Sequence, residues 1–208
     1  MKKKALGAAV LALALAVTPL AASAAGSSSG GGSDSDYNPT KSTTTTQQAA
    51  STSSKTSAAG LSIVDVAAVA SSAPTAAAAL ASNAATGVAP AFATGAAETA
   101  GLPAATVAEI NSINAGTSIE TVLGSAFAGY NTLTKTSAVV AKDATTGAIA
   151  DKPTAVAVEV PNLAANATVQ VAFFNNLTGQ WMVLPVVVEG KIASFTAPCS
   201  GTFAFIYK

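Results

Sequence analysis

The hydrophobic pattern divides the chain into four stretches of different character. Ala5 to Val17 form an unbroken apolar run, preceded by Lys2, Lys3 and Lys4 and followed by Thr18-Pro19-Leu20 and the small residues Ala22-Ser23-Ala24. A basic start, a short apolar run and a small-residue stop make the three-part pattern of a secretory signal peptide over residues 1–24. The run is shorter than the about 20 residues of a membrane span, which argues against an uncleaved anchor. From Ala25 to Gly60 apolar periodicity disappears. Ser27-Ser28-Ser29-Gly30-Gly31-Gly32 and Thr43-Thr44-Thr45-Thr46 are low-complexity cores. Such a stretch buries too little apolar surface to offset its ordering entropy, so residues 25–60 read as a disordered Ser/Thr/Gly-rich linker.

Residues 61–130 are alanine-rich and carry helix signals. Ser62 with Asp65 resembles a capping box ahead of Val66, Ala67 and Ala70. Pro103 suits a first helical position, and Val107, Ile110 and Ile113 recur at three-residue spacing before Gly116. Thr117 with Glu120 opens a second box, followed by Val122, Leu123, Ala126 and Phe127, so the two stretches predict a short helical hairpin. Ala73 to Gly101, with Pro74, Gly87, Pro90 and Gly95 among alanines, matches no single template.

The period changes to two in residues 131–208. Val156, Val158 and Val160 alternate with Ala155, Ala157 and Glu159; Val169, Val171 and Phe173 alternate with Gln170 and Ala172. Asn175 to Gly179 supplies turn chemistry, Trp181 to Val188 a further strand, and Glu189-Gly190 a tight hairpin turn. Short strands at near-regular spacing predict an antiparallel β-sandwich or small barrel. Met182 to Val188 is apolar on both faces of its strand, so the 61–130 helices are expected to cover the second face. The fold class is therefore α+β, with short helices packed on a C-terminal β-domain. Five of the seven phenylalanines lie in this last third, with Trp181 and Tyr207, and place the core there.

Composition narrows the function. Charged residues are 10% of the chain, every basic residue is lysine, and histidine is absent. Without arginine the chain lacks the rigid fork that grips phosphates and guanine edges, and without histidine the side chain that titrates near neutral pH. Loss of the leader leaves seven lysines against ten acids, a formal charge of −3. Nucleic acid is not an expected partner, and membrane contact is expected only through the leader before cleavage. Cys199 is the sole cysteine, so no intramolecular disulfide forms. It reads as a small buried thiol with no histidine to activate it.

Each candidate motif meets a structural objection. Gly26-Ser27-Ser28-Ser29-Gly30 matches a nucleophile elbow in letters but has neither the flanking strand and helix nor a base. Asp34, Asp36 and Asn38 imitate the start of a calcium loop, yet Pro39 and Thr45 stand where glycine and a bidentate glutamate belong. Neither metal nor other cofactor is expected. Asp143 and Asp151 flank Thr145-Thr146-Gly147 and, with Glu159, are the acids a glycan hydrolase would use. Trp181, Tyr130 and Tyr207 are candidates for a glycan-stacking platform, although Trp181, on a strand between Gln180 and Met182, is expected in the core. Asn166-Ala167-Thr168 and Asn176-Leu177-Thr178 match the glycosylation pattern of a eukaryotic secretory route.

Val160-Pro161-Asn162-Leu163, Val169 to Asn175, Thr178-Gly179-Gln180-Trp181 and Gly201-Thr202-Phe203 with Tyr207-Lys208 resemble secreted proteins of Gram-positive, gut-type bacteria in which a signal peptide and an alanine-rich helical stretch precede a small β-domain. The resemblance covers about residues 105–208; it implies export and this architecture, and no activity comes with it. Three functional expectations follow. The first is a non-enzymatic secreted or surface-associated module that binds a protein or an envelope polymer. The second is a glycan- or peptidoglycan-acting hydrolase using carboxylates, and the third a surface-assembly subunit joined by strand addition.

Overall fold

A computed structural model of the chain describes residues 53–161, 163 and 168–208. The leader, the elbow-like and calcium-loop-like motifs, Asn166 and all of the linker before Ser53 lie outside the described residues. In chain order the elements are β1 (Ser53–Ser54), β2 (Ser62–Ile63), α1 (Val66–Val69), α2 (Pro74–Thr86), β3 (Val88–Ala93), α3 (Ala104–Asn114), α4 (Ile119–Leu123), β4 (Asn131–Thr132), β5 (Ser137–Asp143), β6 (Thr154–Glu159), β7 (Val169–Asn175), β8 (Gln180–Pro185), β9 (Val187–Glu189), β10 (Ile192–Ala197) and β11 (Gly201–Tyr207). Short 3-10 turns at Gly95–Glu98 and Ser125–Phe127 complete the set.

Two antiparallel sheets face each other. One runs β1-β3-β5-β11-β7-β8, with β4 pairing the end of β11; the other runs β2-β6-β10-β9. The alternation read from the sequence sorts their residues. Val156, Val158, Val171, Phe173, Phe195, Phe203 and Phe205 point between the sheets into the main core. Phe203 sits at its centre, with ring centroids 5.0 Å from Phe195 and 5.6 Å from Phe205. Both arrangements are tilted or edge-on, the geometry favoured by the ring quadrupoles.

Helices cover both outer faces. Ala76, Ala77 and Leu80 of α2 pack with Val69 on Ala157 of β6. On the other side Ile119 of α4 and Phe127 pack with Ala172 and Ile206, flanked by Trp181 and Val183. The chain also crosses between the sheets at their lateral edges. Val186 alone separates β8 from β9, so the chain steps from one sheet to the other there. At the opposite side Thr56 bridges Ser62, and the Ile63 N–H donates to the Lys55 carbonyl at 2.8 Å. The sandwich is laced on both sides in the manner of a small barrel.

Several local expectations differ from the structure. Ser62 lies in β2 because Leu61 and Ile63 are drawn into the main core, and the helix begins at Val66. Asp65 gives its carboxylate to Lys55 instead of capping the helix. Pro103 and Ser118 occupy the N-cap positions of α3 and α4, neither with a side-chain cap. Glu120 reaches forward to the Gly129 N–H. The Ser/Thr-rich character continues past the start of folded structure, since β1 and the turn at Ser57–Gly60 precede residue 61. The described helices all lie within residues 61–130, but that stretch also supplies β2 and β3, and β3 lies between β1 and β5 in the first sheet. The single strand expected over Trp181 to Val188 is two strands in different sheets.

Ala73 to Gly101, which fits no template, forms α2 and β3. Pro74 stands at the first helical turn and Gly87 ends α2 in the left-handed conformation, φ 66°. Alanine on every side of α2 hides the periodicity of its buried stripe. Pro90 is tolerated within β3 because β1 pairs only with Phe92 and Ala93, leaving that flank of Pro90 without a ladder.

Candidate functional site

The acids proposed from the sequence have separate placements. Asp143 ends β5, and its Oδ1 accepts from the N–H groups of Thr145 and Thr146 and from the Thr146 hydroxyl, at 2.8–3.0 Å. The Thr146 N–H, then its hydroxyl and the Thr145 N–H, hold the Asp143 carboxyl below its ordinary value. This carboxylate organises its own loop. Asp151 lies exposed ahead of β6 and Glu159 exposed at its far end. Thr154 and Glu159, the ends of β6, are themselves about 16 Å apart along an extended strand.

The remaining described acids also have structural partners. Glu189 on β9 accepts from the Ala76 and Thr75 N–H groups at the start of α2, 2.9 and 3.1 Å. The Ala76 N–H foremost, helped by Thr75, keeps its carboxyl below the ordinary value. Glu109 on α3 accepts from the Trp181 indole N–H at 2.8 Å. Glu98 accepts from the Gly95 N–H, and Asp65 pairs with Lys55. Among the described residues no three His, Cys, Asp or Glu side chains gather as a metal site.

Cys199 is buried in the main core, its Sγ 3.2 Å from Asn175 Oδ1. The same Asn175 oxygen accepts from the Leu177 and Thr178 N–H groups and so sets the β7–β8 turn. Trp181 is half-buried against Phe174, centroids 5.5 Å apart, and tethered to α3. It joins α3 to the first sheet.

Tyr130 and Tyr207 lie near each other, although strand alternation turns their side chains to opposite faces of the first sheet. They border an open cleft of about 370 Å³ at one end of the sandwich, lined also by Gly116, Thr117, Ser118, Asn131 and Thr132. The β4–β11 register sets Asn131 opposite Tyr207. The turn between α3 and α4 forms the facing wall, entered through Gly116 at φ 88°. Tyr130 is fixed on two sides. Its hydroxyl donates to the Gln170 side-chain oxygen, and Lys208 Nζ stands 4.1 Å over its ring. Asn131, Thr132 and Ser118 carried no signal in the sequence, since the β4–β11 pairing brings the first two to the cleft and the α3–α4 turn brings Ser118. Across the comparisons made, no protein-family model, curated protein or solved structure matches the chain.

Proposed function

We propose that the protein is exported and acts as a non-enzymatic module at or near the cell surface, binding an envelope polymer. The observation that carries this reading is the placement of the carboxylates. Asp65, Glu98, Glu109, Glu120, Asp143 and Glu189 each hold a backbone group or side chain of the fold. Asp151 and Glu159 belong to opposite ends of β6, whereas acid pairs that hydrolyse glycosides stand about 5–9.5 Å apart. The signal-type leader and the Ser/Thr-rich stretch fit a domain spaced from the surface that made it.

The test is co-sedimentation of the mature chain with insoluble envelope from the producing cell, with soluble reducing ends assayed in parallel. Retention in the pellet without sugar release is the expected result. Sugar release abolished by Asp151→Asn or Glu159→Gln would overturn the non-enzymatic reading.

A second reading rests on β8. It is the terminal strand of its sheet, and Gln180 to Pro185 carries no charged side chain. Uncharged edges are templates for strand addition. Assembly through β8 predicts concentration-dependent oligomers that a charge at the exposed Gln180, Gln180→Lys, disperses, read by sedimentation velocity.

A further inference from the structure

We infer that assembly through β8 is a closed two-fold dimer, in which the β8 strands of two copies of this chain pair antiparallel about Met182. The inference rests on the strand-addition reading given above and supplies its partner and register. β8 and β9 are the strands left uncovered. β6, β7, β10 and β11 each bury all but one or two of their residues, whereas every residue of β8 and β9 is half-buried or exposed. Trp181 and Val183 face the helices and Met182 and Leu184 the main core, so β8 is apolar on both faces while its flank away from β7 has no ladder.

The other strands that end a sheet are poor partners for it. Among the described residues β1 and β2 have two residues each, and β9 has three and ends on Glu189. Growth from head to tail requires a second long edge, which these do not offer. A copy joined through β8 therefore meets the β8 of its neighbour. The same patch on both sides makes the interface two-fold, and such an interface closes at two copies.

Pro185 sets the register. It has no N–H to give to a ladder, which leaves Gln180 to Leu184, a stretch centred on Met182. Antiparallel pairing about that centre sets Trp181 opposite Val183 of the second copy, an aromatic and β-branched pair of the kind that stabilises sheets. The exposed apolar side chains obey the same symmetry. Four large ones are exposed among the described residues, and two of them, Leu177 (63%) and Val187 (45%), stand five positions before and five after Met182. Pairing about Met182 brings Leu177 of one copy to the same end of the ladder as Val187 of the other. Gln180 to Val188 contains no charged residue, so no like charges meet across the axis.

The experiment is sedimentation velocity of the full mature chain over a concentration series, with hydrogen exchange of the β8 amides at both ends of the series. It is repeated for Leu177→Lys, Val187→Glu and the two combined. The expected result is a monomer–dimer equilibrium that stops at the dimer, with β8 amides slowed only at high concentration. Each single variant is expected to weaken the dimer about tenfold or more, and the double variant to regain it by pairing the new charges, with monomer thermal midpoints unchanged. Oligomers beyond the dimer with β8 slowed would overturn the two-fold inference and leave strand addition standing. A β8-slowed dimer in which the double variant is as weak as the singles would overturn the Met182 register. If the β8 amides exchange equally at every concentration, the strand-addition reading fails and the dimer with it.

Discussion

Gly201 illustrates how one residue sets the distance between strands. Its backbone is not in the left-handed region, so glycine is not required there for conformational freedom. An added Cβ would instead meet the Phe174 carbonyl oxygen and stand 2.5 Å from Phe173 Cζ. Neither neighbour can retreat, because Phe173 is fully buried in the main core and Phe174 belongs to the β7–β11 ladder. Gly201→Ala is expected to cost about 3 kcal/mol or more, read as a fall in the denaturant midpoint. The residue scale also separates the two kinds of aromatic side chain named from the sequence. Trp181 sits under α3 with a bonded indole N–H, whereas Tyr207 borders solvent, although both stand on strands. Strand alternation predicts a face; it does not tell what covers that face.

Among elements, α2 shows how a helix without strong amphipathic contrast is held in place. Asn83 lies on its buried stripe and exchanges two hydrogen bonds with Ala155, donating to the carbonyl and accepting from the N–H, each at 2.8 Å. The side-chain amide stands in for a neighbouring strand at the end of β6, where β2 does not reach. Asn83→Ala leaves both Ala155 groups buried and unpaired, an expected loss of about 2–4 kcal/mol by chemical denaturation. The opposite end of α2 is held by Glu189. Its carboxyl is lowered in the fold, so the charged form is the one that folding favours, and that contribution is complete above the unfolded value near 4.5. It is lost as the pH falls through the lowered folded value. Asp143 acts in the same direction from its ordinary 3.8. Stability is therefore expected to decline as the pH falls below about 4.5, with a shallower decline in Glu189→Gln; thermal midpoints from pH 7 to pH 3 would check this. An unchanged slope in Glu189→Gln would mean that the contact does not couple helix to sheet.

At the scale of the whole molecule, the helical and β stretches share one structure. β3 comes from the alanine-rich half yet pairs along β5, and each outer sheet face is closed by helices from that half. Thermal unfolding is accordingly expected to be one transition, with far-UV circular dichroism and Trp181 fluorescence coincident, and not two steps divided near residue 130. Much of this was legible beforehand. Alternation at Val156–Val160 and Val169–Phe173 marked the inward faces, Glu189-Gly190 marked a tight hairpin whose loop is Gly190-Lys191, and the doubly apolar Met182–Val188 stretch required a cover that the helices give to Val183 and not to the exposed Val187. These follow from side-chain period and turn chemistry, which are local and therefore written in the chain. Three features were settled only by tertiary structure: the α2–β3 passage, where alanine gives no periodic contrast; the switch of sheets at Val186; and the meeting of Tyr130, Tyr207, Asn131 and Thr132 at one cleft. Each depends on which distant strand lies alongside, as Asn131 does on Tyr207 and Pro90 on Ala141. Pairing across long sequence separations is decided by the closure of the common core, which no local stretch of sequence contains.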